Sequence, residues 1–262
     1  MPTEALLSCR EVTVRFGGIV ALDAVSFDVP AGVIYGLIGP NGAGKTTLFN
    51  CLSRLYQYQS GDLLFRGASI TGRSSHEIAR LGIGRTFQNL AMFGTMSVEH
   101  NIMVGAHCRS RAGFLATALR LPAVRREEAS LAARAGEIID YLGLGAVRST
   151  PVAELPFGVQ KRVELGRALA ADPTLLLLDE PAAGLSHEEL AGLAALIRDI
   201  HDRLDITVLL VEHHMNLVMS VCDRIAVLNF GRRIAEGTAG EMQDHPEVIA
   251  AYLGAPEHAQ AA

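Results

Sequence analysis

No run of apolar residues approaches the ~18 that a membrane span requires, so any role at a membrane is expected to come through a partner. The start, Met1-Pro2-Thr3-Glu4, has neither a basic stretch nor a long apolar one, and no secretory leader is expected. Cysteine is sparse: Cys9, Cys51, Cys108 and Cys222 show no C-x-x-C or Cys/His metal spacing and are expected to be buried thiols of a reducing compartment. Positive charge is also short, 23 Lys and Arg against 28 Asp and Glu. The net −5 leaves no footprint for a nucleic-acid backbone. The Asn-Lys-x-Asp motif of a guanine-reading GTPase is missing, and nothing repeats at periods of 20 to 50 residues. What remains is a 262-residue chain, 49% hydrophobic, able to bury a large core as one two-lobed domain or two small ones.

The most constrained stretch is Gly39-Pro40-Asn41-Gly42-Ala43-Gly44-Lys45-Thr46-Thr47, which follows the apolar run Val33 to Ile38. It matches the G-x-x-x-x-G-K-[ST] phosphate loop between a strand and a helix. Glycines at 39, 42 and 44 let successive backbone N–H groups turn inward around an anion, and a helix opening at Lys45 aims its positive dipole end at the same point. Lys45 is expected to reach the β- and γ-phosphates, Thr46 to take one Mg²⁺ position, and Thr47 to donate to the α-phosphate. The loop alone does not separate ATPase, GTPase and kinase.

Val12, Val14 and Phe16, and again Val25, Phe27 and Val29, alternate with polar neighbours, as half-buried antiparallel strands do. Phe16 is either the last core residue of its strand or a stacking surface for adenine, and periodicity alone favours the core. A helix is expected to continue from Leu48 to Leu55, a strand over 62–66, and a helical turn over 75–81. From about Met96 to Leu155 the chain turns helical, and Leu131, Ala135, Ile138, Ile139 and Leu142 form one stripe. Ala112 to Val124 is apolar, with arginines on both sides, and is compatible with a protein contact.

Thr174 to Leu178 reads as a strand buried on both faces, with Asp179 and Glu180 at its carboxyl end. Asp179 suits Mg²⁺ held through water, and Glu180 suits a base that polarises the attacking water. Ser186-His187-Glu188-Glu189 has capping-box spacing and opens a helix with Leu190, Leu193, Ile197, Ile200 and Leu204 as its buried stripe. A second buried strand, 206–211, presents Glu212-His213-His214. Adjacent histidines are expected to diverge, which speaks against zinc and leaves one imidazole beside the γ-phosphate. A hairpin over 225–236 and a helix over 246–253 close the chain.

Phosphate loop, Gln88, Leu155-x-x-Gly158-x-Gln160, Leu₄-Asp179-Glu180 and His213 occur here in the order found in the nucleotide-binding subunits of ATP-binding cassette transporters, which residues 6 to 254 resemble. The resemblance implies an α/β P-loop NTPase fold: a RecA-like parallel-sheet core, an antiparallel β subdomain and a helical subdomain at about 93–160. The cassette would span 5–254, with 255–262 a flexible tail. It implies that Phe16 stacks on adenine, reversing the periodicity reading. Gln88 would serve Mg²⁺ and the water, Asp179 the Mg²⁺, Glu180 as base and His213 as switch histidine. Gly158, in the signature segment 155–160, would close over the nucleotide of the opposite subunit. ATP and Mg²⁺ are the implied cofactors.

Ile83 to Gln88, Asp179 to Leu185, Val211-Glu212-His213, the end Ile249 to Gly254 and an insertion near 106–126 are similar to the larger ATPase subunit of bacterial branched-chain amino-acid importers. That implies a second ATPase subunit as heterodimer partner, two transmembrane permease subunits docked on the helical lobe, a solute-binding protein further out, and a place at the cytoplasmic face of the cell membrane. Cargo identity is not written in an ATPase. Two departures stand out: the signature normally reads Leu-Ser-[Gly/Tyr]-Gly-Gln, but Pro156 replaces its serine and Val159 its glutamine, while Ser186 stands where Asp or Asn is usual. The rivals are the ATPase of lipopolysaccharide export and a soluble cassette ATPase of DNA repair or translation. The latter usually has coiled-coil arms, duplicated cassettes or basic surfaces, none of which is present.

Overall fold

The computed structural model describes residues 5–86, 92–109 and 122–253. Gln88, most of the insertion near 106–126 and the tail 255–262 lie outside the described residues. In chain order the elements are β1 (Ala5–Phe16), β2 (Ile19–Pro30), β3 (Ile34–Ile38), α1 (Lys45–Leu52), β4 (Ser60–Phe65), β5 (Ala68–Ser69), α2 (Ser75–Leu81) and β6 (Ile83–Arg85). There follow α3 (Val98–Gly105), α4 (Pro122–Tyr141), α5 (Phe157–Leu169), β7 (Leu175–Asp179), α6 (His187–Leu204) and β8 (Thr207–Val211). The chain closes with α7 (Met215–Val221), β9 (Arg224–Asn229), β10 (Arg232–Gly237), α8 (Ala239–Gln243) and α9 (Pro246–Leu253). It divides into two compact units, one running to Ile78 and resuming at Leu177, the other spanning Ala79–Leu176.

In the first unit β2, β1, β4 and β5 form an antiparallel sheet in that order, while β3 lies between β8 and β9 and is parallel to both. Every residue of β3, β7 and β8 is buried, which is why these strands are continuous apolar runs and β1 and β2 alternate. The β9–β10 hairpin turns through Phe230 (φ 44°) and Gly231 (φ 77°), the paired positive φ that matches strand twist in a two-residue turn. Both ends of β3 are tied down: the Ile34 N–H donates to Asp223, and Gly231 N–H to Ala43 O beyond the loop.

Among the described residues, the regular elements of the second unit are helices apart from β6 and the start of β7. Ala135, Ile138, Ile139 and Leu142 are buried as the stripe requires, with Leu131 half-buried. Each fully buried Ile or Leu contributes about 1.5–3 kcal/mol. α3 and α5 approach so closely at Gly105 that a side chain there would collide with the backbone carbonyl of Arg167. Between α3 and the preceding turn, buried Asn101 accepts from Phe93 N–H (3.0 Å) and donates to the carbonyls of Phe93, Met96 and Ser97 (3.0–3.1 Å). Asn101→Ala strands these groups and should cost about 3 kcal/mol of stability by denaturant unfolding. A loss under about 1 kcal/mol would mean the turn relaxes to water.

Four expectations need correction. The helix after the phosphate loop stops at Leu52, not Leu55, because Arg54 takes a left-handed φ of 56° and Leu55 N–H turns back to Asn50 O. Leu204 is exposed rather than part of the stripe of α6, since it sits in the last turn, where Asp205 caps left-handed and the chain swings back into β8. Cys108 is only half-buried, lying in a 3₁₀ turn rather than in a sheet or core helix. The strand expected from Val12 begins at Ala5, its first half pairing with both β2 and β4.

Candidate nucleotide site

β3 delivers the chain buried to Ile38, and the loop that follows turns on residues only glycine suits. Gly39 has φ 150°, and a Cβ there would run into Leu228 O; Gly44 has φ 100°, with a Cβ 2.5 Å from Ala21 O. Gly44 caps α1 without a side chain, and no acidic residue occupies the first turn, so the dipole and N–H groups at this end are left uncompensated, as an anion site requires. The Ala43 carbonyl points away, to the Gly231 N–H. Lys45 is 6% exposed, and its ammonium donates to Gly39 O (2.7 Å) and Pro40 O (3.0 Å). Burial lowers its pKa, with the charges of Glu180 and Asp179 opposing the shift. Asn41 and Gly42 are exposed, Pro40, Thr46 and Thr47 partly so.

β7 carries Asp179, 1% exposed, to the end of its strand. Glu180 keeps a sheet bond, N–H to Val211 O at 2.9 Å, but adopts φ 47°, a conformation that costs a non-glycine residue on the order of 1 kcal/mol. That bend directs its carboxylate toward His213, whose Nδ1 is 3.9 Å from Glu180 Oε2. His213 follows β8, so two neighbouring buried strands and the phosphate loop supply one group of residues.

The histidines do not diverge: their rings lie 4.3 Å apart in the short connection between the end of β8 at Val211 and the start of α7 at Met215. Glu212, His213 and His214 place one ligand atom each within 4.8 Å of one another, which corrects the argument used against zinc. The sequence assigns Glu212 no role of its own. The signal was present, an acidic residue closing a five-residue buried strand, the same one that marks Asp179.

Phe16 is 47% exposed and meets Tyr56 edge-to-face at 5.4 Å, so the core reading from periodicity fails. Alternation identifies a face of the hairpin but not how far the core extends beneath it, and Ile19 at the same tip is exposed too. Gly158 and Pro156 belong to the other unit, where Pro156 is the N-cap of α5 and Gln160 Nε2 donates to Leu155 O at 2.8 Å.

Residues 22–183 match the ABC transporter family model. This chain belongs to that family. It is an ATP-binding cassette ATPase, with the P-loop NTPase fold expected above. Residues 232–258 also match the family of branched-chain amino acid ATP-binding cassette transporters. The high-affinity branched-chain amino acid transport ATP-binding protein BraF of Pseudomonas aeruginosa is 41% identical over 95% of this chain and 98% of its own. LivG of Escherichia coli K12, with the same descriptive name, is 39% identical over 96% and 99%. An ATP-binding cassette of an ABC transporter solved in its ADP conformation superposes with TM-score 0.83 at 30% identity, covering 96% of this chain and 99% of that one. Among the described residues of this cassette no helix is long and apolar enough to cross a membrane.

Proposed function

We propose that this cassette powers a bacterial importer of branched-chain amino acids or a related small solute, from the cytoplasmic face of the membrane. It would work beside a second ATPase subunit and two permease subunits, with a solute-binding protein outside. Near-complete coverage by BraF and LivG, both named for branched-chain amino acid transport, supports this reading and favours it over lipopolysaccharide export or a soluble role.

In the proposed mechanism backbone N–H groups of the loop between Asn41 and the first turn of α1 cradle the phosphates, and Lys45 exchanges its loop carbonyls for β- and γ-phosphate oxygens. Phe16, exposed at its hairpin tip, offers a ring face to adenine. Thr46 hydroxyl and buried Asp179 form an all-oxygen donor set that suits Mg²⁺, and Gln88 joins them by resemblance. The metal, when bound, neutralises charge on the phosphate oxygens. Glu180 accepts a proton from the attacking water, and His213 holds the γ-phosphate side of the site. Gly158 and its segment serve the nucleotide of the opposite subunit.

A tagged chain retrieved from membranes should bring down two multi-spanning subunits and a second ATPase, identified by mass spectrometry. Recovery of soluble nucleic-acid enzymes alone would sink the transport reading. Pro156 offers its partner no hydroxyl, and at an N-cap it also gives no cap bond to α5. Pro156→Ser should therefore both stabilise the helix, by about 1 kcal/mol, and raise turnover at the site built from the partner's phosphate loop and this chain's signature segment. A gain in stability with unchanged turnover would make Pro156 a purely local feature.

A further inference from the structure

We infer that Glu212 is a positioning residue that sets the spacing between Glu180 and His213 by bonding to the chain on both sides of them. Its Oε1 accepts from Ala182 N–H at 2.8 Å, two residues after Glu180. Its Oε2 accepts from the N–H groups of His213 (2.9 Å) and His214 (3.1 Å) and pairs with His214 Nδ1 at 3.0 Å. His213 Nδ1 stands a further 3.8 Å away. The side chain is fully buried.

A carboxylate is tolerated out of water only when its lone pairs are met, and here charge-assisted bonds come from two loops thirty residues apart. One oxygen holds the loop that leaves Glu180. The other holds the backbone that carries His213. The same rigid group thus spans both sides of the 3.9 Å approach between Glu180 and His213. No neutral side chain reproduces this. Glutamine has one acceptor oxygen, so its NH₂ must face either the Ala182 N–H or the histidine-side donors, and one loop is released.

The inference rests on the roles proposed for Glu180 and His213, and the test separates the two. In the complex retrieved on the tagged full-length chain, Glu212→Gln should lower kcat at least about tenfold with KM for ATP changed by less than about twofold. In a His213→Ala background the same change should cost nothing further, because the spacing between Glu180 and His213 that Glu212 sets has no role once the imidazole is gone. Glu212→Asp keeps the charge but is one methylene too short to hold both loops, so it should show the same kcat loss if Glu212→Gln fails to fold. Wild-type kcat in either variant, or losses that multiply in the double variant, overturns the inference. Full turnover in Glu180→Gln and His213→Ala would instead overturn the site assignment itself. Loss in those two with none at Glu212 refutes the positioning role alone.

Discussion

Glu180→Gln is expected to abolish most hydrolysis in the assembled transporter, by about 10²–10⁴-fold, while ATP still binds. The amide is isosteric, so the bend at φ 47° and the sheet bond to Val211 survive. What disappears is a proton acceptor. Nothing else within the described part of the site offers a carboxylate in the same position: Asp179 is buried at the strand end, and Glu212 is committed to Ala182 and the two histidines. Single-turnover hydrolysis together with equilibrium binding of a fluorescent ATP analogue separates the two effects. Unchanged turnover would remove Glu180 from the chemistry.

Lys45→Ala should act one step earlier, on binding. The ammonium is already buried and meets two loop carbonyls, and both of those bonds can be exchanged for stronger ones to phosphate oxygens. Its loss should cost about 3 kcal/mol or more of ATP affinity, roughly a hundredfold in Kd. Because burial lowers the Lys45 pKa, the charge is held at a desolvation cost, and its removal should not by itself destabilise the empty protein. The sharp readout is thermal: wild type at a hundredfold excess of ATP over Kd gains about 2.7 kcal/mol, some 5–10 °C, and the variant should gain almost none. If the altered signature makes the two sites unequal, Lys45→Ala here should also slow the transporter more than the matching change in its partner ATPase. Equal losses would leave Pro156 without a functional consequence.

Spacing along the chain by itself determined the phosphate loop, the buried strands ending in acidic residues, and the Ser186 capping box, which forms as read with Glu189 reciprocating. Each of these depends on groups at most a few residues apart, so the pattern of residue types already contains the geometry. Family likeness then supplied roles that spacing could not. The tertiary structure alone decided that Phe16 is exposed and that Lys45 rests on its own loop. It also decided that the histidine rings lie together and that Glu212 binds Ala182. These outcomes depend on where β7 and β8 stop relative to each other and on how far the core extends beneath a hairpin. A hydrogen bond between residues 182 and 212 leaves no period or motif in the sequence, because it exists only once two distant strands are packed side by side.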